Sequence, residues 1–405
     1  MFKSKKPSKP AASKLSVLCQ LCNYIPTHLV TQLSRATGVE EKARTFSAWS
    51  HVVTMLFAQL THALGLNDVC DALRLHSGPL SAIRGATAPS RNGLSHANKV
   101  RSSALAEQLF WKVFDHLGNL SPGFGGGRRR APLQRFKRAV HIIDSTVIQL
   151  VANCLDWASH RRRKAAAKCH VRLDFQSLLP RMVIVDKARP HDNVYARALC
   201  AGVKAGEIVI GDRAYLELEH LLELNERGVY WVVREKQNLR YEVIERRQTA
   251  AGSGILRDEI IMLNKGVQAR RVVALVEVDG EEREMTFLTN NLEWSARTIC
   301  DLYRCRWQIE VFFKQLKQTL QVADFLGNSA NAVKWQLWTA LLLMLLLRYL
   351  AFLSQWSHSF VRLFTLTRSA LWRRLDLLDL LRSYGTAGGS FRCLAQPEQA
   401  FLPGF

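Results

Sequence analysis

Acidic side chains are scarce: the 405 residues hold 34 Asp and Glu against 56 Lys and Arg, giving a net charge of +22 and a pI near 10.0. Such an imbalance points to a polyanionic partner, nucleic acid first, though ribosomal and membrane-surface proteins are also basic. A regular cysteine framework is missing too. Nine cysteines, an odd number without regular spacing, read as reduced thiols in a cytosolic protein. Cys19-x-x-Cys22 has no second pair and lies in an apolar helical context, which argues against zinc or redox use. No secretory signal is apparent, because the basic start is not followed by an apolar core of adequate length. An uninterrupted membrane span is also lacking. Spanning takes about 20 apolar residues, and the run at 335–353 is broken by Gln336 and Arg348, so it reads as a buried core helix.

Against these absences stands one dense stretch, Thr298 to Leu320, which contains neither Pro nor Gly. Its apolar residues Ile299, Leu302, Ile309, Phe312, Phe313, Leu316 and Leu320 recur at helical spacing. Tyr303, Arg306, Glu310, Lys314 and Lys317 follow at three- or four-residue steps and would share one helix face. On its own that stripe could be a solvated face with an Arg306–Glu310 pair. Upstream, Asp144 sits in the middle of a β-branched run at 139–150, and Asp212 follows the apolar run ending at Gly211. Singly, Asp144 could be a paired sheet residue and Asp212 a turn residue. Three carboxylates on separate elements can also converge on a divalent cation, and they suit the oxygen chemistry of Mg²⁺.

The spacing Tyr303-x2-Arg306-x3-Glu310-x6-Lys317 resembles the YREK signature of DDE-type bacterial insertion-sequence transposases of the "IS four" group. Asp144-Ser145-Thr146, the block Gly211 to Tyr215 and the block Leu288 to Asn291 are similar to that family's blocks, in the same order. The resemblance covers roughly residues 15 to 350. It implies cut-and-paste DNA transposition, with Asp144, Asp212 and Glu310 as catalytic metal ligands for Mg²⁺, Mn²⁺ being a possible substitute, and with two ions in use. Two divalent ions about 3.5–4 Å apart can clamp both oxygens of an in-line displacement. Tyr303 and Arg306 would hold phosphate near the ions, while Lys314 and Lys317 touch the backbone. Double-stranded DNA, as inverted-repeat ends and target, is the implied partner, with a homodimer in the synaptic complex. The implied location is the bacterial cytoplasm, on the nucleoid when bound. A metal-dependent nuclease and a non-catalytic DNA-binding protein of the same fold are the rival readings.

The expected fold class is α/β: a ribonuclease-H-like core with a β-rich insertion, preceded by an all-helical amino-terminal domain. A basic disordered arm occupies 1–14, and helices fill 15–120, with one capped near Ser95. By analogy that helical part handles the element's terminal DNA. A Gly- and Arg-rich linker spans 121–136, where Arg128, Arg129 and Arg130 offer phosphate contacts. The catalytic domain runs from 137 to 353, with the insertion at about 235–292 marked by Gly252, Gly254, Gly266 and Asp279-Gly280. Arg161, Arg162 and Arg163 form a second basic run beside the first strands. Trp231 and Trp294 are candidates to stack on a flipped base, with core packing the plainer expectation. Helices and a loose tail complete 354–405.

Overall fold

The computed structural model describes residues 9–39, 45–126, 138–150, 159–160, 164–188, 191–215, 217–278, 280–321 and 326–384. Two compact units emerge, one drawn from 1–125, 148–166 and 314–396, the other from 126–147, 167–313 and 397–405.

The first unit is helical. Its amino-terminal part comprises α1 (Val17–Cys22), α2 (Thr27–Ala36), α3 (Ala48–Thr61), α4 (Leu66–Leu75), α5 (Ser77–Ser81), α6 (Arg91–Val100), α7 (Ala104–Leu120) and α8 (Pro122–Gly126). Serine side chains start three of them: Ser16, Ser47 and Ser90 accept from the backbone N–H of Cys19, Ser50 and Gly93. Such a cap satisfies a helix donor that otherwise has no partner. The α6 cap is Ser90 rather than Ser95, because Ser95 lies inside the helix with its backbone already helical. His62, in the left-handed region at φ 55°, ends α3.

The 24-residue helix Ala330–Leu353 belongs to this same unit. By length and composition it could cross a membrane, and 83% of its apolar window is buried. It packs against α3, α6 and α7. Asn331 donates to the carbonyls of Asn98 (2.9 Å) and Arg101 (2.6 Å), and Trp335 Nε1 donates to Arg101 at 2.7 Å. The two residues that interrupt its apolar run are both engaged. Gln336 accepts from the Leu326 N–H at 2.9 Å, and Arg348 donates to Gln315 at 2.8 Å.

The second unit is organised on a sheet. The strands, of which β2 and residues 148–150 and 164–166 fall in the first unit, are β1 (Val140–Leu150), β2 (Ser159–His160), β3 (Lys164–Asp174), β4 (Pro180–Lys187), β5 (Ile208–Gly211), β6 (Tyr230–Arg234), β7 (Tyr241–Arg246), β8 (Ile255–Leu263), β9 (Val267–Val278) and β10 (Glu281–Thr289). The sheet order is β2–β3–β1–β5–β6–β10–β9–β8–β7, with β4 also on β3. β1, β5 and β6 are mutually parallel. Val140, Ile142 and Ile143 are buried, as a central parallel strand covered on both faces requires. Helices Asn193–Cys200 and Leu218–Glu226 contribute Ala196, Leu199, Leu221 and Leu224 to a core that also holds Ile143, Val209, Tyr215 and Trp231.

Strands β7 to β10 fall where the sequence predicts a β-rich insertion, and they extend the sheet rather than standing apart, since β10 pairs antiparallel with β6. The β9–β10 register sets Val278 opposite Glu281, and Gly280 adopts φ +80° just before β10. Buried ion pairs hold the register. Arg270 forks onto Asp258 at 2.7 and 2.6 Å, and Arg271 binds Glu235 and Glu259, each at 3.0 Å. Planar guanidinium forks match carboxylates in this way, and the paired charge is what permits burial.

Candidate active site

The register of two parallel strands creates the site. β1 pairs with β5 from Val140–Ile208 to Ile143–Gly211, so the next residues, Asp144 within β1 and Asp212 just after β5, stand side by side where that pairing ends. In open parallel sheets the carboxyl ends of strands are where ligands bind. Space is tight at Gly211: a Cβ there would lie 3.3 Å from both Ile143 Cγ1 and Tyr215 Cβ, so a neighbour would have to give by a few tenths of an ångström. Tyr215, on the short 3-10 turn Arg213–Tyr215, is buried beneath the pair.

The third acid arrives on a helix that is not the uninterrupted one its spacing suggests. Helix Ala296–Arg304 ends, Cys305 and Arg306 form a turn, and helix Trp307–Lys314 begins. The Arg306 N–H bonds to the Tyr303 carbonyl, and the Ile309 N–H bonds to the Arg306 carbonyl, both across three residues. Tightening to the 3-10 pattern at this point changes how the side chains project. The Tyr303 hydroxyl donates to Asp212 Oδ1 at 3.2 Å. Arg306 spans two carboxylates, donating to Asp144 Oδ2 at 2.9 Å and to Glu310 Oε1 at 2.5 Å. The Tyr and Arg of one motif thus bond all three expected acids between them, Tyr303 one and Arg306 two.

Charge in this network is unevenly met. Burial pushes the Asp144 carboxyl up to about 6; Arg306 and the Ser145 N–H oppose the shift, and Asp212 and Glu310 add to it. Burial also raises the Tyr303 phenol. Burial disfavours the Arg306 cation, yet Tyr303, Asp144, Glu310 and Asp212 more than offset this and hold its pKa above the ordinary value. Cys305 has its thiol raised by burial, and it donates to the Asp301 carbonyl at 3.2 Å, a structural contact.

Among the described residues no three His, Cys, Asp or Glu groups are grouped so as to hold a metal ion. The donor set nevertheless fits a hard divalent cation. It consists of carboxylates alone, and where two of them converge a guanidinium already serves as the cation. An ion would take the place of that guanidinium. Lys314 is exposed and Lys317 half-buried on the π-helical turn Gln315–Thr319, both assigned to the helical unit. Arg128, Arg129, Arg130, Arg161, Arg162 and Arg163 lie outside the described residues. Trp231 is fully buried and donates to Asn225 at 2.8 Å, while Trp294 packs on Tyr230 with ring centroids 5.2 Å apart. Ser145, Lys168 and Asp192 beside Asp144 gave no site signal in the sequence beyond Ser145's place next to the acid.

A model of the transposase DDE domain matches residues 135–347. A second, described as a domain of unknown function (DUF4372), matches residues 13–83. The chain is 31% identical over 222 residues to the probable transposase for insertion sequence element IS5377 of Geobacillus stearothermophilus, covering 53% of this chain and 58% of that protein. It is 30% identical over 305 residues to the putative transposase y4zB of Sinorhizobium fredii, covering 73% and 81%. At 21% identity it matches the putative transposase for insertion sequence element IS4SA of Synechocystis, covering 55% and 63%. The chain therefore spans less than two thirds of two of these relatives. A weak likeness at TM-score 0.43 and 10% identity, covering 94% of this chain and 85% of that one, reaches a piggyBac transposase in a synaptic complex with hairpin DNA. That score is too low for a shared fold to be read from it.

Proposed function

This chain belongs to the transposase DDE domain family, and on that premise we propose that it cleaves DNA at the ends of an insertion sequence and transfers them into target DNA. One observation carries the reading. Asp144 and Asp212 stand side by side just past the last paired residues of β1 and β5, Arg306 joins Asp144 to Glu310, and Tyr303 on the preceding helix bonds Asp212. A ribonuclease-H-like core is the fold we assign: the strand order β4–β3–β1–β5–β6, with β1, β5 and β6 parallel, supports it. The β7–β10 insertion then falls between the second and third acids. The helices of 15–120 would bind the element's end, and 121–136 would link them to the catalytic domain at 137–353.

The proposed cofactor is Mg²⁺, with Mn²⁺ as substitute, as two ions held by Asp144, Asp212 and Glu310. Ions bound there supply an activated oxygen nucleophile and neutralise charge on the phosphate. The chain's own residues do the rest. The planar fork of Arg306 exchanges its carboxylates for a phosphate of the DNA end, which it can hold in two places. The Tyr303 hydroxyl keeps Asp212 oriented. Lys314, Lys317 and the arginines at 128–130 and 161–163 offer positive charge to the backbone. Water serves as nucleophile in the first displacement, and the freed 3′-hydroxyl in the second. The working form would be a homodimer that pairs two ends in the cytoplasm.

A strand-transfer assay with labelled end DNA and a target plasmid tests this. The wild type is expected to join ends to target. Cutting without joining would leave a nuclease, and end binding with neither cutting nor joining, unchanged in Asp144→Asn, would leave a binding protein.

A further inference from the structure

Beside Asp144 a chain of polar contacts crosses three elements of the sheet unit. The Ser145 N–H donates to Asp144 Oδ1 at 2.7 Å, and the Ser145 hydroxyl donates to Asp192 Oδ1 at 2.7 Å. Lys168, on β3, sets its ammonium 2.7 Å from that same Asp192 oxygen. We propose that Asp192, acting through Ser145, is a positioning residue for the Asp144 carboxylate, with Lys168 as the counter-charge that holds Asp192 in place. The proposal rests on the catalytic reading of Asp144.

The backbone shows why such a support is needed. Pairing between β1 and β5 stops at Ile143–Gly211, so Ser145 lies beyond the last ladder partner on that side. Its side chain is instead fastened to the start of the helix Asn193–Cys200. That helix start is fixed in turn. Tyr195 donates to Asp186 Oδ2 at 2.6 Å, Asp186 stands opposite Lys168 in the β3–β4 register, and the Tyr195 ring lies 4.1 Å from that of His170.

Electrostatics agrees with the geometry. His170 is fully buried with Nδ1 at 3.5 Å from Asp192, and burial pushes its pKa down to about 4 against the pull of Asp192. At neutral pH it is uncharged, so of these two partners Lys168 alone supplies the counter-charge. The Lys168 and Asp192 side chains are 13% and 19% exposed, which shields their pairing from the screening that weakens surface pairs. Asp144 is therefore held at both oxygens, Oδ1 by Ser145 and Oδ2 by Arg306. When Arg306 leaves for a phosphate, the Ser145–Asp192 link is what still orients the carboxylate. Outer partners that orient a metal-binding carboxylate typically change affinity or activity by about 10- to 100-fold when removed.

The test compares wild type, Ser145→Ala, Asp192→Ala and the double variant, reading Mn²⁺ binding by titration calorimetry, cleavage of end DNA and thermal melting. Each single variant is expected to bind Mn²⁺ about 10- to 100-fold more weakly. The double variant should be no worse than the weaker single one, because the two act through one contact. Ser145→Ala keeps the Asp192–Lys168 pair, so it carries the test alone if Asp192→Ala does not fold. Wild-type Mn²⁺ affinity in the folded variants, or losses that multiply in the double, overturns the positioning role. Asp144→Ala is the control that separates the two claims. If it cuts, the catalytic reading falls and takes the positioning role with it. If it is dead while the Ser145 and Asp192 variants match wild type, positioning alone falls.

Discussion

Replacing Asp144 by asparagine should make the metal-free protein more stable at neutral pH while abolishing its chemistry. The carboxyl is raised from an ordinary 3.8 to about 6, chiefly by burial. A raised acid is charged at a cost: the penalty on the folded state is absent below the unfolded value, grows as pH rises between the unfolded and folded values, and is full above the folded value. Two pH units at 1.36 kcal/mol each come to roughly 3 kcal/mol at pH 8. Asparagine mimics the neutral form and keeps the size, and Glu310 remains as a partner for Arg306. The assay is thermal melting in chelated buffer from pH 4 to pH 8. No difference between wild type and Asp144→Asn is expected near pH 4, with the variant melting several degrees higher by pH 8. A difference that does not vary with pH, or a variant less stable at pH 8, would refute the reasoning. Sites held in unfavourable electrostatics for function commonly show this trade.

Three further outcomes follow from the same contacts. Arg306→Gln frees Asp144 and Glu310 from their shared guanidinium, so Mn²⁺ should bind the free protein about tenfold or more tightly, the equivalent of one charged hydrogen bond at roughly 1.5–3 kcal/mol; calorimetry reads this. Asp258→Ala leaves Arg270 buried without its carboxylate in the insertion, which should cost about 3–5 kcal/mol in denaturant unfolding. Gly211→Ala forces a Cβ to 3.3 Å from Ile143 and Tyr215. It should cost about 1–3 kcal/mol and slow end cleavage more than it lowers the melting temperature.

The strands that carry Asp144 and Asp212 were legible because a central parallel strand reads as a β-branched apolar run, and Gly211 marks where one ends. The run of strands β7 to β10 was legible from its turn residues, Gly280 above all. Glu310 was placed on a helix, but the break at Cys305–Arg306 was not visible. No Pro or Gly marks it, and apolar periodicity runs through it. The reach of Arg306 to Asp144 spans 162 positions, and local pattern holds no trace of a contact that long. The same holds for Asn331 and Trp335, which fasten a carboxy-terminal helix to Arg101. The buried forks of Arg270 and Arg271 carried no signal either, since charges in a strand read as its solvent face until the opposing carboxylates are known. Ser90 displaced Ser95 as a cap for a local reason: both are serines, and only the first precedes the helical backbone.

The most direct test of the central claim is Mg²⁺-dependent cleavage of DNA carrying the element's own ends, with wild type beside Asp144→Ala, Asp212→Ala and Glu310→Ala. Cutting by the wild type, and its loss in all three variants with end binding retained, is the predicted result. A variant that cuts at the wild-type rate, or a wild type that binds the ends and never cuts them, would contradict it.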